Sequence, residues 1–261
     1  MAETMPVIHI DLNADLGESF GAWRMGDDAG VMPWITSANI ACGFHAGDPM
    51  TMQRTVALCI KQGVAIGAHP SLPDLQGFGR REMKISPNEA YAQTLYQVGA
   101  LQAFVQAAGA SLHHVKPHGA LYNMAARDRE LADAIAAAVR DFDTALILVG
   151  LAGGALVDAG RAAGLAVQRE GFCDRRYRAD GSLTPRSQSG AVIKDVDSAV
   201  AQAVSIATRG EATADNGTLI HIEVDTLCVH GDRADAALFA RTLREALEQA
   251  DVQVAAAAHP G

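Results

Sequence analysis

The chain has 261 residues, of which 49% are hydrophobic, and its formal net charge is −9. This length suits one large α/β domain or two small ones, and the apolar fraction is typical of a globular protein with a buried core. The acidic balance argues against a broad nucleic-acid-binding surface, which needs clustered lysine and arginine.

The cysteines and the apolar segments indicate in which compartment the protein is found. The four cysteines are scattered and include no CxxC pair, so we expect neither a disulfide framework nor a zinc ribbon. The first residues lack the basic segment and apolar run of a signal peptide. No apolar run approaches the roughly 20 residues that span a bilayer. We therefore predict a cytoplasmic protein.

Short apolar segments alternate along the chain with helical patterns. In chain order, the predicted strands are 7–12, 37–44, 63–69, 113–118, 145–150, 164–172 and 218–225. The predicted helices are Pro49–Lys61, Pro87–Ala108, Asp128–Arg140, Gly153–Ala163, Asp195–Thr208 and Arg233–Gln249. Several of these helices begin with an Asp or Ser cap, followed in two cases by proline at the first helical position.

This alternation predicts βαβ units and a parallel sheet. The length matches a (β/α) barrel of the TIM type, for which about 250 residues is usual. A doubly wound open sheet is the competing architecture. Because no linker rich in Pro, Gly and Ser interrupts the pattern, we predict one barrel domain over residues 1–250 and a flexible C-terminal tail over 251–261.

Polar side chains recur on one face of several predicted strands. Successive side chains in a strand point to opposite faces, so Asp11, Asn13 and Asp15 share one face of the first strand. A central parallel strand is normally apolar on both faces, but a barrel explains a polar inner face beneath an active site at the carboxyl ends of the strands. The predicted strand ends carry Asp15, His45, His69, His118 and Asp225.

A histidine in a core is more often a structural residue than a catalytic one, and His9, His114 and His221 fit that reading. The convergence of five ionisable strand ends favours a functional site instead. Two polar loops, 73–84 and 172–193, would place arginines such as Arg80 and Arg186 over the barrel mouth, where they could bind a carboxylate or phosphate.

The stretch Asn39–Pro49 contains a cysteine and a histidine three residues apart. The two-residue period of a strand points Asn39 and His45 into the barrel and Cys42 outward to the helices. We therefore do not expect a Cys–His catalytic pair.

No GxxxxGK[ST] phosphate loop occurs, and the glycine-rich stretch 150–156 is at most a weak anion site. Several longer motifs nevertheless occur in a fixed order: DLNADLGESFG, SANIACGFHAGDP, GVAIGAHPSLPDLQGFGRR, HVKPHGALYN, LVGLAG, PRSQSGAVI and DTLCVHGD. From about Ile10 to Leu247 the chain resembles the LamB/YcsF family. The resemblance implies a seven-stranded (β/α) barrel of the glycoside hydrolase/deacetylase type.

The resemblance also implies an activity, the ATP-dependent cleavage of 5-oxo-L-proline to L-glutamate together with two partner subunits, B and C. Such a reaction needs a base for water, cations for the developing negative charge and a proton for the ring nitrogen. We expect Asp15 or His45 to be the base, Lys116 and His118 to face the phosphate or oxyanion, and His69 to orient water or donate a proton. The candidate substrate-binding residues are Asp11, Asn13, Glu18, Asn39, Arg80, Arg186 and Asp225.

Two alternatives stay open at this point. One Asp and two or three His at neighbouring strand ends could hold zinc or manganese, as in a metal-dependent amide hydrolase or deacetylase. The chain could instead be a non-catalytic subunit that binds oxoproline while the partners handle ATP and carry out the chemistry.

Overall fold

The computed structural model describes residues 7–230 and 235–258. Seven parallel strands, β1–β6 and β9, close into a barrel in which β1 pairs with β2 on one side and with β9 on the other. This closure confirms the seven-stranded barrel and excludes the open sheet. The strands are β1 Ile8–Leu16, β2 Ser37–Ala41, β3 Ala65–His69, β4 His114–Val115, β5 Ile147–Leu151, β6 Ala166–Phe172, β7 Glu211–Thr213, β8 Leu219–His221, β9 Thr226–His230 and β10 Val252–Val254.

Helices follow the barrel strands and pack outside them. They are α1 Asp28–Val31, α2 Pro49–Gln62, α3 Pro87–Ala107, α4 Gly119–Ala125, α5 Arg129–Phe142, α6 Ala155–Ala162, α7 Val196–Arg209 and α8 Ala236–Gln249, with a 3-10 turn at Met32–Trp34. The predicted start of the last helix at Arg233 lies outside the described residues. None of the described helices is long and apolar enough to cross a membrane.

The predicted caps are present at the helix starts. The side chains of Asp48 and Asp195 each accept a hydrogen bond from a first-turn backbone N–H, and Ser86 forms a capping box with Glu89. These caps fix where the helices begin, and therefore how long each loop at the carboxyl end of the barrel can be.

The barrel wall separates two kinds of environment. Outward side chains such as Leu12, Ile40 and Leu148 are fully buried against the helices, while inward positions are largely polar. Gly67 makes room inside the barrel, because a Cβ at this position would lie 2.0 Å from Nε2 of His114. The apolar core thus lies between strands and helices, and the barrel interior carries the polar groups.

The predicted seventh strand, 218–225, is wrong. Residues 219–221 form β8, which pairs antiparallel with β7 outside the barrel, and the last barrel strand is β9. The alternating polar pattern of 218–225 is that of a half-exposed hairpin, in which His221 is exposed. Thr226, Leu227 and Cys228 are fully buried, as a barrel strand requires.

The predicted flexible tail from Asp251 also differs from the structure. Val252–Val254 form β10, which pairs in parallel with Ile8–Ile10 of β1. Val252 and Val254 are buried, so alternate apolar side chains tie this segment to the barrel. Residues 259–261 lie outside the described part of the chain.

Candidate active site

The inward side chains of β1 and its neighbours form layers along the barrel. In the layer at the amino ends of the strands, Asp11 accepts hydrogen bonds of 2.6 Å from the hydroxyls of Thr36, Ser37 and Thr226. Burial raises the pKa of the Asp11 carboxyl, although these hydroxyl donors oppose the rise. Asp11 therefore organises the base of the barrel and lies away from its mouth.

Two asparagines form the next layer. The side-chain N–H groups of Asn39 donate to Oδ1 of Asn13 at 2.8 Å and to Oδ1 of Asp15 at 2.9 Å. Asn13 in turn accepts from Nζ of Lys116 at 3.0 Å. Both asparagines are buried, so they orient Asp15 and Lys116.

Lys116 is a buried cation at the centre of the site. Its Nζ lies 3.0 Å from Oδ1 of Asp15, 2.6 Å from Oε1 of Glu170 and 3.2 Å from Sγ of Cys228. Burial by itself would lower the pKa of Lys116, but the carboxylates of Asp15 and Glu170 outweigh it and hold that pKa well above its usual value. Lys116 is therefore a permanent positive charge.

Asp15 is the matching anion. Burial by itself would raise the pKa of Asp15, but His69 and Lys116 outweigh it and hold that pKa well below its usual value. One carboxyl oxygen faces Lys116, and the other lies 3.3 Å from Nε2 of His69. Asp15 is therefore ionised at neutral pH and links the lysine to the histidines.

Three histidines and one glutamate meet beside this ion pair. Nε2 of His45 lies 3.2 Å from Oε1 of Glu18, and Nδ1 of His118 lies 2.9 Å from Nε2 of His69. The rings of His45 and His118 stack with their centroids 3.8 Å apart. One donor atom from each of the four residues lies within 4.8 Å of every other, so the cluster could hold a metal ion.

Burial and the charges of neighbouring groups lower the pKa of two of these rings, His45 and His118. Burial is the larger effect for both His45 and His118, and neighbouring histidines add to it, so the pKa of each ring lies well below its usual value. Both imidazoles are therefore neutral at physiological pH.

The loop after β3 holds the histidines in place. The backbone carbonyl of Phe78 accepts a hydrogen bond from Nε2 of His118 at 2.9 Å, and the Phe78 ring packs edge-on against both stacked imidazoles. Gly79 has a φ of 64°, and a Cβ there would lie 2.8 Å from Cβ of His45. Only glycine suits this close approach.

A cavity of about 380 Å³ opens over these groups. Asp15, His69, Lys116 and His118 line its buried part, while Glu18 and His45 lie directly behind them. Arginines line the outer part. Of the predicted site residues, the cavity brings together Asp15, His69, Arg80, Lys116, His118 and Arg186.

Two buried charged residues of this site were not among the predicted ones. Glu170 is fully buried beside Lys116, and Arg175 is buried in the cavity wall. The signal for Glu170 is present in the sequence, because Gln168, Glu170 and Phe172 share one face of β6 by the two-residue period. Arg175 lies in the polar loop 172–193, but no pattern separates it from its neighbour Arg176.

The structure places Asp225 apart from the cavity. It precedes β9, at the opposite end of the barrel from the mouth, and its carboxylate accepts from Nε and Nη2 of Arg169 at 2.9 and 2.8 Å. Its predicted place at the mouth followed from the misplaced seventh strand.

We therefore expect Asp225→Asn to leave kcat/KM for the reaction of this site within about twofold of wild type. A surface ion pair contributes little to stability, so only a small drop in melting temperature should accompany it. Steady-state kinetics and a thermal melt check this. A tenfold loss of activity in a folded variant would show that Asp225 takes part in the reaction.

Cys42 offers a second check on which groups take part. Its Sγ donates to the carbonyl of Ile40 at 3.1 Å, and burial raises the pKa of the thiol to about 12. A protonated thiol outside the cavity lining is not a nucleophile. Cys42→Ala should keep at least half of the wild-type activity. The substitution should not change how the other three cysteines react with a thiol reagent.

Known proteins are similar to this chain in sequence and in fold. The LamB/YcsF family model matches residues 10–260. The chain belongs to the LamB/YcsF family. It is 62% identical over 247 residues to the 5-oxoprolinase A subunit of Methylococcus capsulatus, covering 95% of each chain. It is 58% identical over 248 residues to that of Bordetella pertussis, covering 95% of this chain and 98% of the other.

A solved structure with half of its residues identical has the same fold. The lactam utilization protein of Thermus thermophilus superimposes with a TM-score of 0.90 at 50% identity, covering 96% of this chain and all of the other. The match confirms that the (β/α) barrel is the architecture of this LamB/YcsF chain. The name of the curated relatives marks them as A subunits, which indicates that those proteins work in an assembly of several subunits.

Proposed function

We propose that this chain is the A subunit of an ATP-dependent 5-oxoprolinase and that its cavity is where the lactam ring opens. The observation that carries the proposal is the buried Asp15–Lys116 ion pair beside His69 and His118, at the base of a cavity with an arginine-lined mouth. The names of the relatives, which refer to 5-oxoprolinase and to lactam utilization, support the substrate class.

The chemistry explains why ATP is required. A five-membered lactam is a stable amide that water attacks slowly. Transfer of the γ-phosphoryl group of ATP to the lactam oxygen releases ADP and makes the ring carbon electrophilic. Water then adds to that carbon, the carbon–nitrogen bond breaks as the nitrogen takes a proton, and a second water releases phosphate from the acyl phosphate to give glutamate.

The residues of the cavity match these steps. Asp15 lines the cavity whereas His45 lies behind the other histidines, so Asp15 is the group that orients and deprotonates water. Lys116 supplies positive charge for the phosphorylated oxygen. His69 lines the cavity beside Asp15 and would help to orient that water, and the proton that Asp15 takes from the water passes on to the ring nitrogen.

In this proposal, Arg175 binds the carboxylate of the substrate. The Arg175 guanidinium is buried, donates from Nη2 to the carbonyl of Thr184 at 2.7 Å, and has no hydrogen-bond partner at Nε among the described residues. Burial, and then the charge of Arg186, lower the pKa of Arg175 to about 10. An anionic ligand would supply the missing partner and charge.

Arg175→Met should therefore raise KM for oxoproline at least tenfold, with a smaller effect on kcat. Arg176→Met is the matched control, because this neighbouring side chain is exposed and does not line the cavity. If the two substitutions change KM equally, Arg175 does not recognise the substrate.

Partners B and C complete the enzyme in this proposal, and they account for the missing phosphate loop because they would bring most of the ATP-binding surface. Since ATP is a cytoplasmic co-substrate, we place the reaction in the cytoplasm.

Mixing the purified chain with oxoproline and ATP, alone and then with each partner, tests the proposal. We expect glutamate only from the complete mixture, in amounts equal to the ADP formed. Glutamate released by the isolated chain without ATP, and lost after treatment with a chelator, would instead identify a metal-dependent amide hydrolase.

A further inference from the structure

Backbone carbonyls fix the proton positions of two histidines in the cavity. Nδ1 of His69 lies 2.6 Å from the carbonyl oxygen of Lys116, and Nε2 of His118 lies 2.9 Å from that of Phe78. A carbonyl oxygen only accepts, so each of these ring nitrogens must carry a hydrogen. In a neutral ring the other nitrogen then carries a bare lone pair.

The two remaining nitrogens face each other. Nε2 of His69 and Nδ1 of His118 are 2.9 Å apart. With neutral rings, this contact brings two lone pairs together and no hydrogen bond forms. The arrangement is stable only when something positively charged lies between the two nitrogens.

Further donors surround the same point. Oε1 of Glu18 lies 3.6 Å from Nδ1 of His118 and 3.2 Å from Nε2 of His45. Donor atoms bound to one tetrahedral ion at about 2.1 Å lie about 3.4 Å apart, which is within the spread of these distances. We propose that Glu18, His45, His69 and His118 bind one divalent transition-metal ion of the zinc class.

The surroundings favour a metal ion over a shared proton. Three buried or nearly buried carboxylates, those of Asp15, Glu18 and Glu170, lie close to the histidines, and Lys116 and Arg80 are cations that act on the same groups. A shared proton would satisfy only the contact between His69 and His118, whereas a metal ion would also engage Oε1 of Glu18 and Nε2 of His45, which converge on the same point.

The donor set and its support select the kind of ion. Three imidazoles and one carboxylate suit zinc, cobalt or nickel, whereas magnesium and calcium prefer oxygen ligands. Metal-binding histidines usually donate their other N–H to a carbonyl or carboxylate. His69 and His118 do so through the carbonyls of Lys116 and Phe78.

This site stands independently of the oxoprolinase proposal, because it depends only on the orientation of the four side chains. An ion there would lie beside Asp15, whose Oδ2 is 3.3 Å from Nε2 of His69. If the cavity opens a lactam ring as proposed above, the ion would add positive charge near the ring carbon.

Metal binding to the complete chain tests the proposal without any activity assay. The purified chain is stripped with a chelator and titrated with Co²⁺ and Zn²⁺, while metal content, the visible cobalt spectrum and the melting temperature are recorded. We expect one ion per chain, tetrahedral or five-coordinate cobalt bands and a raised melting temperature. Glu18→Gln and His118→Ala should each weaken binding at least tenfold.

His221→Ala is the matched control, because this histidine is exposed on β8 and far from the cluster in the fold. It should bind metal like the wild type. The proposal is wrong if the folded wild-type chain binds less than a tenth of an equivalent of metal ion. This outcome does not depend on whether the variants fold. Binding that survives Glu18→Gln and His118→Ala equally would also overturn it.

Discussion

Lys116→Met is expected to lower the free energy of unfolding by about 3–5 kcal/mol, because removing one partner of a buried ion pair leaves the other charge uncompensated. The side chain of Lys116 is 3% exposed, and its loss leaves Asp15 and Glu170 as buried carboxylates without their shared cation. Turnover in the complete complex should fall at least a hundredfold. Denaturant unfolding of the isolated chain and glutamate formation by the complex measure the two effects.

A second change separates the two effects of losing Lys116. Glu170→Gln in the same chain removes one of the stranded charges, so the double variant should recover part of the lost stability. It should not recover turnover, because the cation that faces the substrate is still missing. If the double variant regains activity along with stability, Lys116 has only a structural role.

Asp15→Asn is expected to reduce kcat by about 10²–10⁴-fold, the usual contribution of a positioned acid–base group. Asparagine keeps the size of the side chain but cannot accept a proton from water. Lys116 keeps Glu170 as a partner, at 2.6 Å, so the loss of stability should be smaller than for Lys116→Met. The measurements are kcat and KM for oxoproline and ATP in the complete complex.

The pH dependence of stability is a control on the Asp15 substitution. Because the pKa of Asp15 is depressed in the folded state, its contribution to stability is complete above its unfolded pKa of about 3.9 and is lost as the pH falls through the folded value. The stability difference between wild type and Asp15→Asn should therefore be constant near neutral pH and shrink below about pH 4. A difference that grows with acidity would contradict the ion pairs assigned to Asp15.

Much of the architecture follows from patterns in the sequence. The strand–helix alternation predicts the barrel, and the caps predict where α2, α3 and α7 begin. The two-residue period of a strand places the side chains of Asp15 and Lys116 inside the barrel. The convergence of Asp15, His69 and His118 at one mouth follows because parallel strands share their carboxyl ends, so a one-dimensional pattern becomes a three-dimensional cluster.

Other features depend on packing that no local pattern reports. The segment 218–225 has the alternation of a strand, but its residues 219–221 pair with β7 in a half-exposed hairpin outside the barrel, while the buried residues that follow form β9. This shift moves Asp225 to the other end of the barrel. Val252 and Val254 look like part of a loose tail until β1 supplies a partner for their backbone.

The detailed geometry of the site is also beyond the sequence. Nε2 of His69 and Nδ1 of His118 face each other only because the carbonyls of Lys116 and Phe78 hold the opposite nitrogens of the two rings. Glu18 is far from His118 along the chain, and the barrel brings their side chains within 3.6 Å. Such contacts depend on loop conformation, which composition and period do not specify.

The most direct test of ring opening in this cavity is a single-turnover experiment with the complete complex in excess over labelled oxoproline. With saturating ATP, rapid quenching measures how fast bound oxoproline becomes glutamate, and a filter assay measures how much is bound. We predict that Asp15→Asn binds oxoproline within threefold of wild type but forms glutamate at least a hundredfold more slowly. Unchanged glutamate formation from the bound substrate, with only weaker binding, would show that the cavity holds oxoproline while one of the partners opens the ring.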